Sequence, residues 1–82
     1  MNSMDMEVVI LHYKNQIVPL QYRQTSEGAH LFCKHPVFTE RYHSDSIVLL
    51  SLGLLTQDME KNAPDYAFFK MIEENIVLSS DL

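Results

Sequence analysis

The side chains best suited to chemistry fall within fourteen positions: His30, Cys33, His35 and His43. Three imidazoles and a thiol are ligand types that zinc accepts. Their spacing works against a shared site. On an extended strand alternate residues point to opposite faces, so His30 points away from Cys33 and His35. Only Cys33 and His35 share a face, which gives two ligands where a closed site needs four. The commoner role of such a cysteine is a small buried hydrophobe, with the histidines on the surface or in loops. The same cysteine beside a histidine is the minimal pair for thiol catalysis. No third orienting group or oxyanion site stands at a recognisable spacing, and a thiol inside a strand is usually inert. No metal or cofactor is therefore expected.

Other chemistries fare no better. Glu73 and Glu74 are adjacent, and adjacent residues of a helix do not face each other, so they read as a solvated face. The only glycines are Gly28 and Gly53, which rules out the dinucleotide fingerprint and the phosphate loop, both of which need more closely spaced glycines. Basic and aromatic residues do interleave, as Tyr13-Lys14, Tyr22-Arg23, Phe32 near Lys34, and Arg41-Tyr42. Sheets that display cations and aromatics bind single-stranded nucleic acids. Strand parity places Val18, Leu20 and Tyr22 on a core face, and likewise Ala29, Leu31 and Cys33. That leaves Arg23, His30, Phe32 and Lys34 as an outward ligand face.

These residues need a scaffold, and the chain reads as α+β. Strands are expected at 7–13, 17–23 and 29–34, forming a three-stranded antiparallel meander. Val8-Val9-Ile10-Leu11 is a continuous apolar run of strand length. Lys14-Asn15-Gln16 is a short polar connection, and Gly28 supplies positive φ at the next turn if one is needed. Pro19 cannot donate a ladder hydrogen bond, so the second strand should be an edge, or should aim the missing N–H outward. Residues 36–43 are expected to be a loop. A helix is expected at 45–52, with Ser44-Asp45-Ser46 as its start and Gly53 just past its end, although periodicity alone also permits a buried strand there. A second helix is expected at 63–74, opened by Asn62-Ala63-Pro64-Asp65. Ile76-Val77-Leu78 is either a final short strand or an apolar tail, and residues 1–5 are expected to be a frayed lead-in.

Eighty-two residues fit one domain. A chain this short buries only about 60–65% of its unfolded surface and commonly needs a staple or a partner. Cys33 is the single cysteine, so an intramolecular disulfide is excluded and a reducing, cytoplasmic location is expected. The start carries acids and no base, the wrong charge for a secretory signal. The longest apolar stretch, Ile47 to Leu55, is too short to span a bilayer. The net charge is −5, which argues against nonspecific binding to nucleic acid or anionic membrane. Residues 1–43 carry four bases and four acids, and residues 44–82 carry two bases and seven acids. The second half is also heavily aliphatic. Ile47, Val48, Leu50, Leu54 and Leu55 exceed what one helix stripe buries, so they are the expected contact residues of a homo-oligomer or a protein partner. The expected function is a small non-enzymatic interaction domain. The alternative is a nucleic-acid-associated regulator using Arg23, His30, Phe32 and Lys34.

Overall fold

The structure is a computed structural model, and it describes residues 6–76. It is α+β. The strands are β1 (Glu7–Tyr13), β2 (Gln16–Thr25), β3 (Gly28–Phe32) and β4 (Ser46–Leu49). They form one antiparallel sheet in the order β1-β2-β3-β4. Helix α1 (Pro36–Tyr42) joins β3 to β4, a 3-10 turn covers Leu52–Leu55, and α2 (Tyr66–Asn75) follows.

The β1–β2 hairpin turns on Lys14 and Asn15, with φ of 49° and 64°. Two consecutive left-handed residues make the tight turn whose twist matches the flanking strands. Gln16 already pairs with Tyr13 and belongs to β2. The β2–β3 turn is held by Thr25, whose Oγ1 accepts from Glu27 N–H and donates to the Gly28 carbonyl. Gly28 has φ 133°, and a Cβ there would strike the Leu49 carbonyl of β4. Only glycine combines that dihedral with so close a backbone approach.

Two expectations about the middle of the chain are overturned. The segment at 45–52 is not a helix: Ser46–Leu49 is strand β4, paired along β3 with Leu31 opposite Ile47. Ser44 Oγ does receive the Ser46 N–H, but it also donates to the Ser46 carbonyl, so it closes a turn and not a helix. Gly53 lies inside the 3-10 turn instead of ending a helix. The β-branched pair Ile47-Val48 suits a pleated surface, and strand β3 would otherwise lack a neighbour on that side.

Residues 36–43 are not a loop. Pro36 occupies the first turn of α1, and His35 caps it by accepting the Val37 N–H at its Nδ1 (3.2 Å). His43 ends the helix in the left-handed region, with φ 54°. Proline at the first helical position is a common start, but histidine is outside the usual capping set.

The helix expected at 63–74 is α2, Tyr66–Asn75, which begins later because residues 61–65 form turns. Ile76 is extended and buried. Val77 and Leu78 lie outside the described residues. The helices pack on one face of the sheet. Leu11, Leu20, Leu31, Phe38, Leu55, Phe68, Phe69 and Ile72 are fully enclosed between the layers. Tyr13, Phe38, Tyr42, Phe68 and Phe69 meet mostly edge to face, the arrangement that the ring quadrupole prefers.

Candidate functional site: the open face of the sheet and its cleft

Alternation along each strand divides the sheet. Val9, Leu11, Tyr13, Val18, Leu20, Tyr22, Ala29 and Leu31 point toward the helices, buried or partly buried. The intervening residues point the other way, and no described helix covers them. Cross-strand pairing sets Ile10 against Pro19, Val8 against Gln21 and His12 against Ile17. Farther across, Gln21 faces Phe32, Arg23 faces His30, and His30 faces Val48. Val8 (57%), Ile10 (48%), Ile17 (69%) and Val48 (45%) all keep large exposed fractions. With Pro19 and the partly buried Phe32 they make an apolar patch concentrated on β1 and β2. Glu7 is the only acid within the four strands, and its parity is that of Val9 on the covered face. The only full charge on the open strand face is therefore Arg23.

A cleft of about 550 Å³ adjoins the patch. It exists because β3 leaves β2 early. The last β2–β3 pair is Gln21–Phe32, and the next residue, Cys33, donates its N–H to the Asp45 carbonyl (2.9 Å). Residues Gln16–Leu20 are thus paired on the β1 side only. At the far end, His35 Nε2 meets Gln16 Oε1 (2.7 Å) and closes the gap. Ile17, Pro19, Phe32, Lys34 and Asp45 line it, with Val18 and Cys33 at its floor.

Pro19 fits this geometry. Tyr13–Gln16 flanks a two-residue turn and exchanges hydrogen bonds, so Leu11–Val18 and Val9–Leu20 do so as well. Pro19 lies between those pairs and faces away from β1. Its missing N–H falls on the cleft side, where no strand would accept from it. The second strand is internal to the sheet at one end and an edge at the other, so the edge that Pro19 implies is half a strand long.

Arg23, His30 and Phe32 stand on the open face as strand parity predicts. The His30 and Phe32 rings stack at 4.3 Å, and Arg23 Nε is shielded with no acceptor among the described residues. Lys34 lies beyond the end of β3 and borders the cleft. The residues assigned to a helical contact surface are scattered. Val48 is on the open sheet face, Leu50 and Leu54 are exposed in the following bend and turn, Ile47 is half-buried against the core, and Leu55 is fully buried.

The two ligand-type side chains sit apart in role. Cys33 is buried, and burial pushes its thiol pKa up, offset in part by the His35 backbone. A raised pKa disfavours the nucleophilic thiolate. Both nitrogens of His35 are engaged. Since Nδ1 accepts from Val37, Nε2 carries the proton and donates to Gln16. No cluster of three or more His, Cys, Asp or Glu side chains is placed to hold a metal ion among the described residues.

Val8 and Ile10 do not stand out in the sequence as surface residues, because β1 reads as a uniformly apolar run; Ile17 on β2 has the outward parity opposite to Val18. The signal was available across the hairpin. Once Val18 and Leu20 are assigned inward, pairing through the Lys14-Asn15 turn sets Ile10 opposite Pro19 and faces both outward. No helix among the described residues is long and apolar enough to cross a membrane. No protein-family model, curated protein or solved structure matches the chain.

Proposed function

We propose that the protein is a small non-enzymatic interaction domain that docks through the open face of its sheet, working in a reducing compartment such as the cytoplasm. The observation that carries this reading is the apolar patch of Val8, Ile10, Ile17, Pro19 and Phe32, on strands whose open side carries no carboxylate. Single exposed apolar residues are ordinary on a protein surface, but a contiguous set marks a contact site. The covered face already encloses three phenylalanines, so the core is served without the open residues.

A photo-reactive side chain at Ile17 tests the reading in cells producing the protein. A discrete adduct is expected from that position, absent when Val8→Lys is added, and absent when the probe sits at Glu74 on the outer surface of α2. No adduct at Ile17, or the same adducts from both positions, contradicts it.

A second reading rests on the His30–Phe32 stack with the Arg23 guanidinium on the neighbouring strand opposite His30. These groups offer stacking and a phosphate contact to a single-stranded nucleic acid. This reading expects salt-sensitive binding to single strands that weakens with Phe32→Ala. The net charge of −5 opposes it, and absence of binding at low salt ends it.

A further inference from the structure

The docking reading leaves the occupant of the open face unnamed. Resting on that reading, we infer that the occupant is a second copy of this chain, packed face to face so that two sheets form the middle of a symmetric dimer. Charge comes first. The chain carries 11 acids and a net charge of −5, so most surfaces of two copies repel. The open sheet face is the exception, because the strands contain one acid, Glu7, and it has the parity of the covered side. Two such faces meet with Arg23 from each copy as the one full charge on the open side of the strands, while Lys34 and Asp45, of opposite sign, border the cleft beside them. A two-fold axis through the Ile10–Pro19 pair, running across the strands, sends the two guanidiniums to opposite ends, roughly 25 Å apart at about 3.3 Å per residue.

Area comes second. The strands hold 26 residues. At about 3.3 Å by 4.8 Å each, they give roughly 400 Å² in projection and, with side-chain relief, roughly 500–600 Å² per copy. Two copies bury about 1,000–1,200 Å², which just reaches the range of specific interfaces and fits a reversible dimer better than an obligate one. Shape agrees, since two twisted sheets stack with strands about 30° apart and interleaved side chains. An isologous contact also needs a self-complementary patch, and aliphatic surface meets that need without matched charges.

Sedimentation equilibrium from about 1 µM to about 1 mM tests the inference. The wild-type chain is expected to pass from monomer to dimer. Ile10→Lys with Ile17→Lys is expected to weaken association at least about 100-fold, because like charges then meet across the contact. Its circular dichroism should stay unchanged, since both residues are exposed. Leu54→Lys, at an exposed residue of the 3-10 turn, should leave the dimer intact. A dimer that survives the paired lysines, or that Leu54→Lys breaks, has its contact elsewhere and overturns the inference. A wild-type chain that stays monomeric throughout also overturns it. In that case an Ile17 adduct with a different protein keeps the docking reading, and no adduct at Ile17 removes both.

Discussion

Ile10 and Leu11 are chain neighbours of equal size in one strand, and they have opposite surroundings. Leu11 is enclosed between sheet and helices, while Ile10 stands on the open face nearly half exposed. The same division runs through Ile17 and Val18, and through Phe32 and Leu31. Hydrophobicity alone therefore does not separate core from exposed surface in this protein. What separates them is whether the fold supplies a covering layer. The two helices and the 3-10 turn cover one face. The other keeps apolar residues that the two helices and the 3-10 turn leave exposed, which is the ground for the proposed docking face.

The comparison can be broken hardest from the covered side. Phe69→Ala and Leu20→Ala remove fully buried side chains and should cost about 3–5 and 2–5 kcal/mol. A domain of this size holds about 4–12 kcal/mol, so chemical denaturation should find these variants close to unfolded. Ile17→Ala on the open face should stay within about 0.5 kcal/mol of wild type under monomeric conditions. A large loss there would mean that part of the chain covers the open face.

Gly28→Ala tests the seam between the turn and β4. Its positive φ and the approach to the Leu49 carbonyl predict a loss of about 1–3 kcal/mol, read as a lower denaturation midpoint. Wild-type stability would show that the turn and β4 relax apart cheaply. His35→Ala should cost about 1 kcal/mol through the α1 cap. His35→Asn should recover part of that loss, because asparagine also caps, while leaving Gln16 without its bridge.

The smallest effect is expected from Cys33. Burial raises the thiol pKa in the folded state, so the folded chain holds its proton where the unfolded chain has released it. That contribution is complete below the ordinary thiol range, near pH 8.5, and is lost as pH rises through the folded value. Denaturation midpoints of the wild type should fall relative to Cys33→Ala on that alkaline limb. Parallel curves would place the thiol in water. Tyr22 and Tyr42, also raised chiefly by burial, add the same sign at higher pH in both chains.

Much of the first half was legible from the sequence. Alternation at Val18, Leu20 and Tyr22 and at Ala29, Leu31 and Cys33 announces two half-buried strands, and it places Arg23, His30 and Phe32 outward correctly. The second half misled for a physical reason. Ile47 to Leu52 is apolar almost throughout, so neither a period of two nor one of 3.6 shows. Serines before it and a glycine after it then resemble helix caps, although they serve a turn and a 3-10 segment. The strand is decided by a long-range fact, the free edge of β3. Helix α1 was hidden by a histidine acting as a cap, a role visible only once His35 is seen against Val37 and Gln16. The candidate site suffered likewise, since its apolar members on β1 become surface residues only through register with Pro19.

Ile10→Lys measures the central claim most directly, because it places a charge one residue away from the core strand position Leu11. Far-ultraviolet circular dichroism and sedimentation on the same sample read folding and association together. Expected are an unchanged spectrum, a melting curve that matches the wild type at concentrations where the wild type is monomeric, and sharply weakened association at higher concentration. A variant that unfolds, or one that stays folded and associates as the wild type does, would contradict it.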